Sequence, residues 1–107
     1  HILILGITFK ENCPDVRNTK VVDIIKALKE YNLNLMICDP WASVENVKKE
    51  YGLDVINALP DNQFDAVVLA VAHEQFMSID LSGLLKKNHV IYDVKGILNR
   101  QLIDGRL

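Results

Sequence analysis

The sequence predicts an α/β fold, a three-layer Rossmann-like domain with a mostly parallel sheet and helices on both faces. Three observations support it. Apolar runs alternate with helical patterns from residue 1 to residue 94 of the 107. The runs are continuous, as in strands buried on both faces of a parallel sheet. Half of the residues are apolar, enough for one core. The length therefore predicts a single domain over residues 1–107.

Four apolar runs predict the strands, in an order that favours right-handed parallel connections. They cover residues 1–6 (HILILG), 33–39 (LNLMICD), 65–72 (DAVVLAVA) and 88–94 (NHVIYDV).

The connections between these runs carry helical patterns. The first predicted helix runs from Val21 to Leu28 on an apolar stripe. We expect Asn18 or Thr19 to cap its start and Asn32 to end it.

The second predicted helix follows Ser43 as N-cap and stops at Gly52. Residues 59–64 (LPDNQF) predict a short capped turn or helix. Residues 74–88 (EQFMSIDLSGLLKKN) predict one or two short helical pieces.

Composition excludes several classes of protein. The net charge is −2, so no nucleic-acid footprint is visible. No apolar run approaches a membrane span of about 20 residues, and the start does not resemble a signal peptide. Two cysteines make no disulfide framework, so we expect a cytoplasmic protein with Cys38 as a small buried hydrophobe. The missing initial Met suggests a piece of a longer chain.

The connection over residues 6–20 (GITFKENCPDVRNTK) is longer than the usual 2–6 residues or so between strand and helix. Ligands of parallel α/β sheets bind beyond the carboxyl ends of the strands. Four segments follow the predicted strands there: 6–18, 38–43, 70–76 and 92–100.

Two nucleotide and phosphate folds fit poorly. The dinucleotide motif needs three glycines after the first strand, and only Gly6 is present. Asp39 stands where a ribose-binding acid would lie, but Asp-Pro is also an ordinary turn. A phosphoacceptor domain would use Asp39, Asp93 and Lys95 but lacks its acidic pair after the first strand.

Other chemistry is weakly indicated. The histidines His1, His73 and His89 are too scattered for a metal site. His73 with Glu74 allows acid–base chemistry, although a surface turn and helix cap is the favoured interpretation. Cys13 has no partner base nearby in sequence, which argues against a nucleophile.

Three cations remain at carboxyl-end positions, namely Lys10, Arg17 and Lys95. Beside a helix N-terminus they favour a phosphorylated or pyrophosphate ligand. The alternative is that each is a surface charge, with Asp15 as a local ion-pair partner for Lys10 or Arg17.

Four segments resemble, in order, the C-terminal domain of the UDP-glucose/GDP-mannose dehydrogenase family. The Phe-Lys and Asp-x-Arg pattern lies in residues 6–25 (GITFKENCPDVRNTKVVDII). The other three segments are 37–42 (ICDPWA), 66–76 (AVVLAVAHEQF) and 91–98 (IYDVKGIL).

The resemblance implies the UDP-sugar-binding domain of an NAD-dependent oxidoreductase that converts the C6 alcohol of a UDP-sugar to a carboxylate for polysaccharide biosynthesis. It favours the UDP-N-acetylhexosamine branch. It implies that Phe9, Lys10 and Lys95 contact the substrate and that Arg17 contacts NAD. Lys95 stands where many members have an arginine, and a lysine cannot make the same planar contact.

The catalytic residues and the NAD fingerprint are implied to lie in other domains of the same chain, so this part alone is expected to be inactive. A homodimer or larger assembly is expected. Two alternatives stay open: a stand-alone, non-enzymatic nucleotide-binding module, and a structural or oligomerisation domain.

Overall fold

The computed structural model describes residues 1–8, 12, 15–16, 19–60, 63–76, 81–93 and 105–106. The strands are β1 (Ile2–Leu5), β2 (Leu35–Cys38), β3 (Val55–Ile56), β4 (Phe64–Leu69), β5 (Leu85–Asp93) and β6 (Gly105–Arg106). The α-helices are α1 (Val21–Lys29) and α2 (Val44–Tyr51), and short 3-10 helices cover Glu74–Phe76 and Leu81–Leu84.

The strands described form one parallel sheet in the order β3-β2-β1-β4-β5-β6. This is the order of a doubly wound Rossmann sheet, and the predicted fold class is confirmed. The chain leaves β1 towards β2 and later returns to β4 on the other side of β1. The topological switch point therefore lies at the carboxyl ends of β1 and β4.

Alternating side chains of the central strands supply two apolar layers, because successive residues of a strand face opposite sides. Ile4 and Ile37 face a cluster that includes Val22 and Ile25 of α1 and Val47 of α2. The layer on the opposite face contains buried residues from the sheet and the 3-10 helices, among them Leu3, Leu5, Cys38, Val67, Leu69, Ile91, Phe76 and Leu84. Helical elements thus cover both faces.

Helix α2 is defined by its own ends, as the sequence predicts. The Ser43 side chain accepts a hydrogen bond from the Asn46 N–H at 3.2 Å. Gly52 ends the helix in the left-handed conformation at φ 67°, and its N–H donates to the Lys48 carbonyl.

The N-cap of helix α1 is Lys20, which makes no side-chain capping bond, so the predicted Thr19 cap is wrong by one position. Thr19 Oγ1 still accepts the Val21 N–H at 3.3 Å. The helix ends at Lys29 with Glu30 as its C-cap, so Asn32 does not end it; Asn32 follows two residues later with φ 58°. The Asn18 alternative lies outside the described residues.

Two strands were not predicted, β3 and β6. Each has two residues, too few to show any periodicity. Of residues 59–64, predicted as a short capped turn or helix, those described are not helical, and Phe64 begins β4. Residues 61 and 62 lie outside the described residues. Residues 74–88 do contain the predicted short helical pieces, although β5 begins at Leu85.

None of the helices in the described ranges combines the length and the apolar character that crossing a membrane would require.

Candidate functional site

The candidate site lies at the switch point, where the chain leaves β1 and β4. Gly6 follows β1 with φ 98°, a conformation that side chains rarely adopt. A Cβ atom on Gly6 would lie 2.6 Å from Cβ of Val71 and 2.9 Å from its backbone nitrogen. The Leu5 carbonyl accepts hydrogen bonds from the N–H groups of Ala70 and Val71. Glycine is therefore required where these two chain segments pass each other.

Asp39 is the centre of the site. Its side chain is entirely buried, and both carboxylate oxygens accept backbone hydrogen bonds. Oδ1 accepts the N–H groups of Trp41 at 2.8 Å and Ala42 at 3.1 Å. Oδ2 accepts the N–H groups of Ile7 at 2.8 Å and Thr8 at 3.1 Å. The carboxylate thus joins the end of β2 to the end of β1.

The pKa of Asp39 reflects two opposing effects. Burial raises it, whereas hydrogen bonds from His73 and from the backbone N–H groups of Ile7 and Trp41 lower it. The net result is a pKa below the ordinary value for aspartate. Asp39 is accordingly a buried anion held by hydrogen-bond donors. Two of the donors belong to the turn that follows it, as in an Asp-Pro turn, and the others come from the end of β1 and from His73.

His73 follows β4 and is also entirely buried. The predicted surface turn is therefore wrong: the ring is enclosed between Trp41 and Phe76, whose centroids lie 6.3 and 5.5 Å away. Its Nε2 atom lies 2.9 Å from Asp39 Oδ2 and 2.8 Å from Thr8 Oγ1. The ring is shielded because the sheet order brings the ends of β2, β1 and β4 together.

The hydrogen bonds assign the tautomer of His73. The backbone N–H of Asn12 donates to Nδ1 at 2.8 Å, so Nδ1 is an acceptor and carries no proton. The proton lies on Nε2, facing the oxygens of Asp39 and Thr8. The imidazole is therefore neutral in this arrangement.

Asn12 closes the network from the other side. Its backbone adopts φ 55°, and its Oδ1 accepts the Glu74 N–H at 2.8 Å. Asn12 thus bonds to two successive residues, His73 through its backbone and Glu74 through its side chain.

The turn after β2 has further support. The Asn57 side chain donates to the carbonyls of Asp39 at 2.9 Å and Ala42 at 2.8 Å. The half-exposed Trp41 ring donates from Nε1 to Gln75 Oε1 at 3.0 Å. These contacts hold the Asp39 turn against the segment that contains His73.

The cysteine beside Asp39 offers no nucleophile. Cys38 is buried, as predicted, and burial together with the negative charge of Asp39 raises the pKa of its thiol to about 11. The thiol is therefore protonated at neutral pH and unreactive. Cys13 lies outside the described residues.

The predicted ligand residues Phe9, Lys10, Arg17 and Lys95 lie outside the described residues, so their assignments stay predictions. The structure adds a network that joins the buried side chains of Asp39, His73 and Thr8 to the exposed Asn12, and the sequence does not predict it. The sequence marks Asp39 and His73 as candidate residues, but separately. Both residues follow predicted strands, and this shared position is the one feature of the sequence that could have linked them. It predicts a contact between Asp39 and His73 only when β2 and β4 are known to pair with β1.

A cavity of about 440 Å³ lies at the opposite ends of the strands, among residues such as His1, Asn34, Gln63 and Lys86. It stands at the amino ends of the strands. Ligands of doubly wound sheets bind at the carboxyl ends, so the candidate site is assigned to the switch point.

Comparisons with known proteins agree with this architecture. The chain is 43% identical, over 99% of its length, to UDP-N-acetyl-D-glucosamine 6-dehydrogenase of Salmonella typhi, and covers 26% of that protein. It is 46% identical over 90% of its length to Protein CapL of Staphylococcus aureus, covering 23% of it. The chain thus spans about a quarter of the length of these relatives.

A solved structure shares the fold at low sequence identity. The crystal structure of NDP-N-acetyl-D-galactosaminuronic acid dehydrogenase from Methanosarcina mazei matches 97% of this chain and 24% of its own, with a TM-score of 0.82 and 19% identity. The sequence model of the UDP-glucose/GDP-mannose dehydrogenase family, UDP binding domain, matches residues 3–100 of this chain. The chain therefore belongs to the UDP-glucose/GDP-mannose dehydrogenase family, through that family's UDP binding domain.

Proposed function

We propose that residues 1–107 form the UDP-sugar-binding domain of a cytoplasmic, NAD-dependent 6-dehydrogenase. The whole protein would oxidise the C6 alcohol of a UDP-N-acetylhexosamine to a carboxylate, supplying acidic sugars for polysaccharide. The remaining domains of the same chain would contribute the catalytic residues, and the full protein would act as a homodimer or larger assembly. Relatives above 40% identity that include a UDP-N-acetyl-D-glucosamine 6-dehydrogenase support this choice of substrate class.

One observation carries the proposal at the level of the site. Asp39 and His73 fix the backbone of Ile7, Thr8 and Asn12 at the switch point. Phe9 and Lys10, which the family resemblance assigns to the substrate, lie between these fixed residues in sequence. A ligand site at this place is what a doubly wound sheet favours.

The overall reaction balances as a four-electron oxidation. The alcohol and one water become a carboxylate, while two NAD⁺ accept two hydrides and three protons are released. In this scheme Lys10 and Lys95 bind the substrate as point charges, which suits the pyrophosphate of a UDP-sugar. The contribution of this domain is to hold and orient the substrate.

The described residues do not fit NAD in the manner of a dinucleotide-binding turn. The N–H groups of Ile7 and Thr8, which follow Gly6, already donate to Asp39. The carboxylate of Asp39, which stands in the ribose-binding position, is buried. We therefore assign NAD mainly to other domains, with Arg17 proposed as a contact from this one.

The test is turnover by the purified full-length protein. UDP-N-acetylglucosamine, UDP-N-acetylgalactosamine, UDP-N-acetylmannosamine and UDP-glucose would each be supplied with NAD⁺, and NADH measured by absorbance. We expect two NADH per sugar nucleotide, a carboxylate product by mass spectrometry, and the highest kcat/KM with an N-acetylhexosamine.

Three other results would contradict the proposal in different ways. Preference for UDP-glucose would refute the substrate class. Binding of UDP by calorimetry without turnover of any UDP-sugar would favour a non-enzymatic nucleotide-binding module. The absence of both binding and turnover would favour a structural domain.

A further inference from the structure

We propose that His73 is a positioning residue for the substrate segment: it ties Asn12 to the buried Asp39 and so fixes both ends of the stretch that contains Phe9 and Lys10. The inference rests on the proposed function and adds a residue to its binding machinery. His73 acts through the backbone of its neighbours in this scheme and does not itself react.

The two nitrogens of His73 serve opposite ends of that stretch. Nε2 faces Asp39 Oδ2 at 2.9 Å, and this oxygen accepts the backbone N–H groups of Ile7 and Thr8. Nδ1 accepts the backbone N–H of Asn12 at 2.8 Å. Residues 9–11 are therefore bracketed in sequence by backbone groups that converge on one imidazole and one carboxylate.

The hydrogen bond between Asn12 and His73 is not needed to stabilise the buried Asp39. A buried carboxylate needs donors, and Asp39 already has four from the backbone. The bond from Asn12 to Nδ1 does not serve Asp39 at all, and Asn12 itself is largely exposed. Its backbone is left-handed, φ 55°, a conformation that asparagine adopts more readily than most residues other than glycine. The contact therefore holds the backbone of an exposed residue and adds no donor to the buried carboxylate.

The neutral imidazole suits this role because it is a donor on one side and an acceptor on the other. The aromatic rings of Trp41 and Phe76 enclose it, which limits its rotation. The Glu74 N–H donates to Asn12 Oδ1 at 2.8 Å, so the residue after His73 reinforces the same link.

Two variants separate the functions of the nitrogens. His73→Gln keeps a donor able to reach Asp39 but removes the acceptor that faces Asn12. His73→Asn keeps an acceptor close to the position of Nδ1 but is too short to reach Asp39. Both would be made in the full-length protein. Val67→Ala is the control, because it lowers the stability of the protein by truncating a buried side chain of the core and leaves His73 in place.

We expect a crossed pattern. His73→Gln should raise the KM for the UDP-sugar about 3- to 10-fold, the effect of losing one hydrogen bond. Its Tm should fall less than that of His73→Asn. His73→Asn should show the larger loss of Tm and the smaller change in KM. Val67→Ala should lower Tm and leave the KM for the UDP-sugar unchanged.

Hydrogen exchange gives a readout independent of turnover. In His73→Gln the peptide that contains Asn12 should exchange faster than in the wild type, and in His73→Asn it should remain close to the wild type. Equal KM values in the two His73 variants, or KM values that follow Tm across all three variants, would overturn this inference alone. A wild-type protein that neither binds nor oxidises any UDP-sugar would instead overturn the proposed function, and this inference with it.

Discussion

The Nε2 atom of His73 lies 2.9 Å from Oδ2 of Asp39, and both side chains are completely shielded from solvent. The pair joins the ends of β2 and β4 across the end of β1. Because a buried carboxylate is tolerated only when it is well supplied with donors, this pair should control local stability as well as the shape of the site.

Replacing Asp39 by Asn should destabilise the protein by about 2–4 kcal/mol. Each carboxylate oxygen accepts two backbone N–H groups, so the new amide NH₂ must face two donors in either orientation. Urea unfolding measures the change. Asp54→Asn is the control, since Asp54 is exposed and forms an ion pair with Lys48 at the surface. Equal stability of the two variants would contradict this role for Asp39.

The contribution of Asp39 should depend on pH. Its pKa is lower in the folded than in the unfolded state, so its stabilisation is complete above the unfolded-state value of about 3.9. It is lost as the pH falls through the folded-state pKa. The difference in unfolding free energy between the wild type and Asp39→Asn should therefore shrink as the pH falls below about 4. A difference that stays constant down to about pH 3 would argue against the lowered pKa.

Gly6→Ala should destabilise the protein by about 2–5 kcal/mol, combining backbone strain with overpacking against Val71. Gly52→Ala is a matched control. Gly52 also has a positive φ, 67°, but its added Cβ would meet nothing within 4 Å. It should cost about 1–2 kcal/mol. The difference between the two variants, measured by chemical unfolding, reports the close contact between Gly6 and Val71, which follow β1 and β4. Equal losses of stability would show that this contact does not matter.

Cys38 should resist thiol reagents in the native protein, because its pKa is raised to about 11 and the side chain is buried. Iodoacetamide labelling followed by peptide mass spectrometry should find Cys38 modified only after unfolding. Rapid labelling under native conditions would show that the end of β2 opens readily.

Lys10 and Arg17, the two cations singled out in the connection over residues 6–20, should have separate effects in the full-length protein. Lys10→Ala should lower kcat/KM for the UDP-sugar roughly 10- to 100-fold, as expected for one charge-assisted contact. Arg17→Ala should raise the KM for NAD more than that for the sugar. Lys20→Ala is the control, because Lys20 is exposed at the start of α1. A Lys10 variant with unchanged kcat/KM, or an Arg17 variant with equal effects on both KM values, would refute the corresponding assignment.

Local signals in the sequence predicted the elements that depend on neighbouring residues. Ser43 and Gly52 define α2 because a cap needs only the adjacent turn. The Asp39 turn is similarly local, since Trp41 and Ala42 lie two and three residues away. The two-residue strands β3 and β6 could not be predicted, because their pairing depends on partners distant in sequence.

By itself the sequence determined the parallel α/β class, the main strands and helices, and a resemblance that points to the UDP binding domain. Only the tertiary structure decided that His73 is buried rather than exposed, and that it meets Asp39 34 residues and Thr8 65 residues away. The physical reason is the sheet order: β2 and β4 both pair with β1, which brings the three strand ends together at one place. No pattern of neighbouring residues records that meeting, because its hydrogen bonds join residues that are distant in sequence.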